Sequence, residues 1–152
     1  MTQTCVSVII ATKNEQANIS RVLTSIFNQT VSQIETLVID NYSTDDTVRM
    51  ARKMGASVFL HGNERSQQRN FGAKIAKGTY LLFLDADMEL LPSTIDKCLK
   101  LIKSKSSVAL VIPEKIKGEG FFVRIKNWKN ACMKMNHSLK QPDFLSGLRL
   151  KK

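Results

Sequence analysis

The chain has few of the features that assign a protein quickly. Its three cysteines, Cys5, Cys98 and Cys132, are odd in number and lack metal-ligand spacing. That excludes a disulfide scaffold and points to reduced thiols in a cytosolic setting. No apolar run approaches the roughly 18 residues that a membrane span needs. The N-terminus lacks a charged stretch followed by an apolar segment and a small-residue cleavage site, so no secretory signal is expected. Neither a G-x-G-x-x-G nor a G-x-x-x-x-G-K-[ST] loop occurs, so phosphate is not expected to be cradled by glycine-loop amides. Acidic residues are scarce in one region only. Residues 121–152 carry 8 basic side chains and 1 acidic one, Asp143, whereas residues 1–120 carry 15 basic and 12 acidic. The net charge of +10 therefore belongs mainly to the tail. With no aromatic-basic platform before it, a nucleic-acid-binding module is not expected.

What is present fits one soluble domain with its own core. Hydrophobic residues make up 43% and charged residues 24% of 152 positions, ordinary values for a globular protein. Cys5 to Ala11 reads as a strand buried on both faces. Ile19, Val22, Leu23, Ile26 and Phe27 then recur with helical spacing. Thr36 to Ile39 is a second strand, ending in Asp40. Ser43 and Asp46 look like a capping pair for a second helix that closes near Met54, with Gly55 in the C′ position. Ser57 to Leu60 is a third strand. A helix with Arg65 and Arg69 follows, with Phe71 and Ile75 facing inward and Gly78 ending it. Thr79 to Leu84 is the central strand. Pro92 opens a helix whose apolar face is Ile95, Cys98, Leu99 and Ile102, and Val108 to Ile112 is a fifth strand. Strict strand–helix alternation predicts an α/β fold with a mostly parallel sheet, right-handed crossovers and helices on both faces.

The chain is organised around Thr79-Tyr80-Leu81-Leu82-Phe83-Leu84-Asp85-Ala86-Asp87. A buried strand that runs into two carboxylates must deliver them to a polar opening, because no core accommodates them unpaired. In parallel sheets that opening lies at the carboxyl ends of the strands. Asp85 and Asp87 are therefore candidate hard-oxygen ligands for a divalent cation that also holds a diphosphate. The other strand ends supply Thr12, Asn14 and Glu15, then Asp40 and Ser43, then Glu64, Arg65 and Arg69. An arginine can add a bidentate phosphate contact, and Asp40 with Thr12 can read a base or ribose edge.

Four segments resemble, in order, the family 2 glycosyltransferases of the GT-A fold. They are Val8-Ile9-Ile10-Ala11-Thr12-Lys13-Asn14-Glu15, Val38-Ile39-Asp40-Asn41-Tyr42-Ser43-Thr44-Asp45-Asp46-Thr47, Arg65-Ser66-Gln67-Gln68-Arg69-Asn70-Phe71-Gly72 and Leu82-Phe83-Leu84-Asp85-Ala86-Asp87. Together they cover about residues 5–90. The resemblance implies a Rossmann-like nucleotide-sugar-binding fold, a UDP- or GDP-sugar donor, Mg²⁺ or Mn²⁺, and inverting transfer. It implies Asp87 as a direct metal ligand, Asp85 near ribose and metal, and Asp40 and Thr12 at the base. Asn14, Glu15, Ser43, Arg65 and Arg69 fall within the same donor-binding set. Lys13 departs from the family, which often has an aromatic residue at that place. A sugar nucleotidyltransferase, the neighbouring alternative, is expected to carry a glycine-rich, arginine-containing loop where Thr12-Lys13-Asn14-Glu15 stands.

These readings divide the chain into a donor-binding unit, residues 1–120, and a basic tail, residues 121–152. Phe121, Ile125, Trp128, Cys132 and Met135 fall on one helical stripe with lysines around it. That stripe suits a helix packed on the sheet, or an interfacial helix at an anionic membrane. After Trp128 the acidic residues vanish. Back-translating Met133 to Ser138 and shifting one nucleotide earlier forces glutamates around an aspartate or asparagine, a segment that family members carry there. The tail is thus read as an out-of-frame remnant of the acceptor half, leaving either a truncated enzyme or a chain that at most binds the nucleotide-sugar. Glu114 and Glu119 sit in no recognisable base motif, so no catalytic base is assigned. The sequence does not identify the acceptor, for which a lipid phosphate and a glycan are the candidates; the expected setting is the cytoplasm, and a lipid-phosphate acceptor would put the site at the cytoplasmic membrane surface.

Overall fold

The computed structural model describes residues 6–105, 109–112 and 131–135, with side chains through residue 103. Its elements in chain order are β1 (Val6–Thr12), α1 (Ile19–Phe27), β2 (Ile34–Asp40), α2 (Thr47–Lys53), β3 (Ser57–Leu60), α3 (Arg65–Ile75), β4 (Tyr80–Asp85), α4 (Thr94–Lys105), β5 (Ala109–Ile112) and β6 (Ala131–Met135). The described strands form one sheet in the order β3-β2-β1-β4-β6-β5. β1 pairs in parallel with β2 and β4, and β2 with β3.

Strand parity explains how the layers form. Val6, Val8 and Ile10 of β1 join Val38, Leu82 and Leu84 in one cluster, filled by Ile19, Val22, Leu23 and Ile26 of α1 and by Ile95, Cys98, Leu99 and Ile102 of α4. Ile9 of β1 points the other way, with Leu37, Ile39, Leu81 and Phe83, toward Ala73 of α3. Alternate residues of a strand face opposite sides, so both faces are apolar and all seven residues of β1 are buried. The expected α/β sheet with helices on both faces is the observed one.

The order also fixes where a ligand site belongs. From β1 the chain steps outward through β2 to β3, then returns to place β4 on the other side of β1. The reversal falls between β1 and β4, and open α/β sheets bind ligands at such a point, beyond the strands' carboxyl ends. Ala11 lies in register with Asp85, and Thr12 with Asp40. Three carboxyl ends thus meet at one edge.

Several local readings change. Phe27 is 48% exposed rather than part of the inward face of α1. α3 ends at Ile75, and Gly78 is small for another reason: a Cβ there would lie 2.5 Å from the Ser7 backbone nitrogen. The Ser43–Asp46 capping pair does not form. Asp46 makes no side-chain cap bond, and Asp45 takes that role by accepting the Thr47 amide and hydroxyl. Gly55 does occupy the left-handed position after α2, at φ 95°.

The tail also differs. Cys132 and Met135 lie in a strand and not on a helical stripe. β6 runs antiparallel between β4 and β5, pairing Phe83 with Cys132 and Val111 with the same residue. The open edge of β4 presents unpaired amides and carbonyls, and a strand satisfies that row where a helix cannot. Periodicity alone does not separate helix from strand in a run this short. Phe121, Ile125, Trp128, Glu114, Glu119 and the shifted-frame segment beyond Met135 lie outside the described residues.

Candidate functional site

The first half of the site is a knot at the ends of β1 and β2. Asp40 has no exposed surface and accepts three hydrogen bonds. Thr12 Oγ1 donates to Oδ2 at 2.7 Å, Ser43 Oγ to Oδ2 at 2.6 Å, and the Ser43 amide to Oδ1 at 2.7 Å. A buried carboxylate needs such donors, since water cannot serve it. The Asn14 amide in turn donates to Ser43 Oγ at 2.7 Å, and the Thr44 amide donates to Asn14 Oδ1 at 2.9 Å. Lys13 Nζ donates to the Asn41 and Tyr42 carbonyls. The two loops are thereby stitched together, and each contains a left-handed residue: Asn14 at φ 53° and Tyr42 at φ 48°. Asparagine tolerates this region, whereas an aromatic residue there carries strain. Lys13 thus acts as a tether of the second loop.

The second half is Asp85, at the end of β4 on the α3 side of the sheet. Its side chain is 12% exposed and bridged by two guanidiniums, Arg69 at 2.6 Å from Oδ1 and Arg65 at 3.5 Å from Oδ2. Arg69 Nε is buried and has no hydrogen-bond partner among the described residues. Asp87, two residues on, is exposed. By strand parity Thr12 and Asp40 lie toward the α1 and α2 face, and Asp85 toward the α3 face. The two halves therefore flank the sheet edge.

One residue absent from the sequence-based site ties the halves together. Gln68, 3% exposed, donates from Nε2 to the Thr12 carbonyl at 2.8 Å and to the Ile39 carbonyl at 2.6 Å. It sits one turn before Gly72 and one residue before Arg69. α3 approaches this closely because a Cβ on Gly72 would lie 2.5 Å from Ile9 Cγ2. The signal in the sequence was a glutamine and a glycine four apart on the inward stripe of a helix, where apolar residues are usual.

Of the predicted site residues, Thr12, Asn14, Asp40 and Ser43 are brought into one network, and Arg65, Arg69 and Asp85 into another. Glu15 belongs to neither. Its carboxylate accepts from Asn18 Nδ2 at 2.8 Å, and its amide donates to Thr47 Oγ1 at 2.8 Å. These bonds fix the start of α1 against α2. Glu64 is exposed at the N-cap of α3.

Among the described residues no group of three or more His, Cys, Asp or Glu side chains is placed to hold a metal. A pair of carboxylates one residue apart nevertheless suits Mg²⁺ or Mn²⁺. Mg²⁺ in particular is commonly held by one or two carboxylates, with substrate phosphate and water completing the shell. The buried, unpartnered Arg69 Nε beside Asp85 is a donor of the kind a phosphate oxygen accepts. The residues present fit a metal–diphosphate pair better than a metal alone.

Comparison with known proteins bears on the family and the fold. The family model described as Glycosyl transferase family 2 matches residues 7–146. An uncharacterised glycosyltransferase of Rickettsia typhi is 40% identical over 86 residues, covering 56% of this chain and 28% of that protein. S. aureus TarS 1–349, solved in complex with UDP-GlcNAc, has a TM-score of 0.70 at 29% identity, covering 76% of this chain and 36% of that one. The mannosyltransferase PcManGT from Pyrobaculum calidifontis, solved in complex with GDP-Man and Mn²⁺, has a TM-score of 0.61 at 26% identity, covering 68% and 34% respectively. The chain thus spans 28% to 36% of the length of the first two of these proteins.

Proposed function

The chain belongs to glycosyl transferase family 2, and on that premise we propose that it provides the donor site of an inverting, metal-dependent sugar transfer from a nucleoside-diphosphate sugar. The observation that carries this reading is that β2 and β4, on either side of β1, bring Asp40 and Asp85 to one carboxyl edge of the sheet, each held by its own set of donors. Nucleotide-sugar complexes of the similar structures, one with UDP-GlcNAc and one with GDP-Man and Mn²⁺, support the same ligand class.

In this reading the base and ribose lie over the β1–β2 knot and the diphosphate over the end of β4. Asp40 Oδ1 carries a single donor, the Ser43 amide, and keeps acceptor capacity for a nucleobase N–H. Because Asp40 is fully buried, the turn at Asn41–Ser43 must shift to admit that contact, and the left-handed Tyr42 is the strained joint in it. Thr12 orients Asp40, and Gln68 holds the carbonyls beneath both. Asp85 and Asp87 would hold the divalent cation, which when bound neutralises charge on the diphosphate leaving group. Arg65 and Arg69 supply guanidinium donors to the diphosphate. A carboxylate base taking the acceptor hydroxyl's proton belongs to the reaction class, and none of the residues described here is assigned to it. No helix among the described residues is long and apolar enough to cross a membrane.

The test is calorimetric titration of the purified chain with UDP and with GDP, each in Mn²⁺ and then in chelator. Metal-dependent binding of one nucleotide is expected. Binding of neither, by a chain shown to be folded by circular dichroism, refutes the proposal.

A further inference from the structure

The arginines of this site do something before any ligand arrives. Asp85 is one of the two carboxylates that would hold the metal, yet both of its oxygens already face cationic nitrogens, Arg69 at 2.6 Å and Arg65 at 3.5 Å. A divalent cation approaching Asp85 meets two positive charges well within a Debye length, that of the half-buried Arg69 the less screened. The cation is therefore opposed unless something removes the guanidiniums or neutralises them. A diphosphate does so, because its oxygens match the planar fork of arginine as well as a carboxylate does.

We propose that Arg65 and Arg69 are internal counter-cations of Asp85, and that cation and diphosphate together draw Arg65 away from it while Arg69 remains, so that metal and nucleotide bind as a coupled pair. This rests on the donor-site reading above and adds the order of events to it. The two arginines divide the work by their burial. Arg65 is 58% exposed and holds the longer contact, so it moves from Asp85 to the diphosphate. Arg69 is 32% exposed and holds the shorter contact, so it stays in place against Asp85. Coupling of this kind is reciprocal: nucleotide raises metal affinity by the factor by which metal raises nucleotide affinity. It also keeps Asp85 neutralised when the site holds no ligand, which a buried carboxylate requires.

The experiment measures Mn²⁺ binding by the loss of the free-ion electron paramagnetic resonance signal, with and without UDP, in the wild type and in Arg65→Gln. Arg52→Gln, an exposed cation of α2, controls for the general effect of net charge. Arg65→Gln should bind Mn²⁺ alone more tightly than the wild type, by on the order of tenfold, while Arg52→Gln matches the wild type. In the presence of UDP the order reverses, with Arg65→Gln the weaker, so the ratio of Mn²⁺ affinities with and without UDP falls. A residue with only a structural role would not raise metal affinity when removed. Unchanged Mn²⁺ affinity in Arg65→Gln, or an equal rise in Arg52→Gln, overturns the exchange even if the wild type binds UDP with Mn²⁺. A rise confined to Arg65→Gln in a protein that binds no UDP or GDP under any condition overturns the nucleotide reading and the coupling with it.

Discussion

Replacing Gly72 by alanine sets two physical effects against each other, and the structure decides which prevails. In an exposed helix interior alanine is favoured over glycine by about 1 kcal/mol, so helix propensity alone predicts a more stable protein. At this position the added Cβ would lie 2.5 Å from Ile9 Cγ2 and 3.2 Å from Ile39 Cγ1. Both isoleucines are fully buried, and their branched side chains have little freedom to turn aside. Carbon atoms rest at about 3.5–4.0 Å, so α3 must lift from the sheet by roughly 1 Å at Gly72. Overpacking of this kind costs about 1–3 kcal/mol. The same lift stretches the Gln68 bonds, now 2.8 and 2.6 Å, past useful length at a further cost of about 1 kcal/mol each. After subtracting the propensity gain, the net expectation is a destabilisation of about 2–4 kcal/mol.

Urea unfolding at fixed temperature reads this directly as a lower midpoint with an unchanged slope. A double-mutant cycle isolates the cause. In an Ile9→Ala background the methyl that clashes is gone, so adding Gly72→Ala should be neutral or stabilising. A wild-type or higher midpoint in the single variant, or the same loss in the Ile9→Ala background, refutes the idea that glycine at 72 exists to let α3 seat Gln68 and Arg69.

Three further outcomes follow from the same geometry. Asp40→Ala removes the acceptor of three hydrogen bonds, one buried and two partly buried; it should lower stability by about 3 kcal/mol, seen in urea unfolding, and weaken nucleotide binding more than metal binding. Asp87→Asn alters an exposed position, so the unfolding midpoint should stay at the wild-type value while titration with UDP loses its dependence on Mn²⁺. For Asp45, burial raises the carboxyl's pKa and is the largest single influence, but hydrogen bonds from Thr47 and from the Gln16 amide outweigh it and hold the group below its ordinary 3.8. The folded state thus binds fewer protons, so this contribution to stability is present above the unfolded value and lost as pH falls through the lower folded one. Asp45→Ala should flatten the acid side of a plot of unfolding midpoint against pH, and an unchanged slope would remove Asp45 from the account.

Much of the fold was legible because the signals were periodic and redundant. The unbroken apolar stretches of β1 and β4 required burial on both sides, and two carboxylates after one of them marked the carboxyl edge of the sheet. What escaped depended on contacts between segments distant in sequence. Gln68 meets carbonyls 56 and 29 residues away, and nothing local announces such a partner. Gly78 reads as a helix stop until the backbone of Ser7 is found against it. The short run Ala131–Met135 fits either a helix or a strand, and only the unpaired edge of β4 selects the strand. Arg65 and Arg69 were legible as donors for a phosphate, but their attachment to Asp85 required the register that sets α3 over β4.

That attachment bears on how a site can store two carboxylates without a ligand. Asp40 and Asp85 occupy the same sheet edge and face the same problem, yet the chain solves it in two ways. Asp40 is held by neutral donors, two hydroxyls and an amide. They stabilise the anion without adding charge, which in the proposed donor site suits the β1–β2 end to a neutral base. Asp85 is held by cations, which leaves the β4 end neutral overall until an anion and a cation arrive to exchange with them. Exchanging the two solutions would defeat both. An arginine on Asp40 would bury a charge where an uncharged base must bind, and hydroxyls on Asp85 would leave a bare anionic site able to capture a divalent cation with no diphosphate present. In the donor site proposed above, the placement of neutral donors on one side of the sheet and charged donors on the other would divide base recognition from diphosphate recognition. It follows from strand parity: with Thr12 and Asp40 pointing toward α1 and α2, and Asp85 toward α3, only Asp85 lies within reach of the arginines that α3 carries.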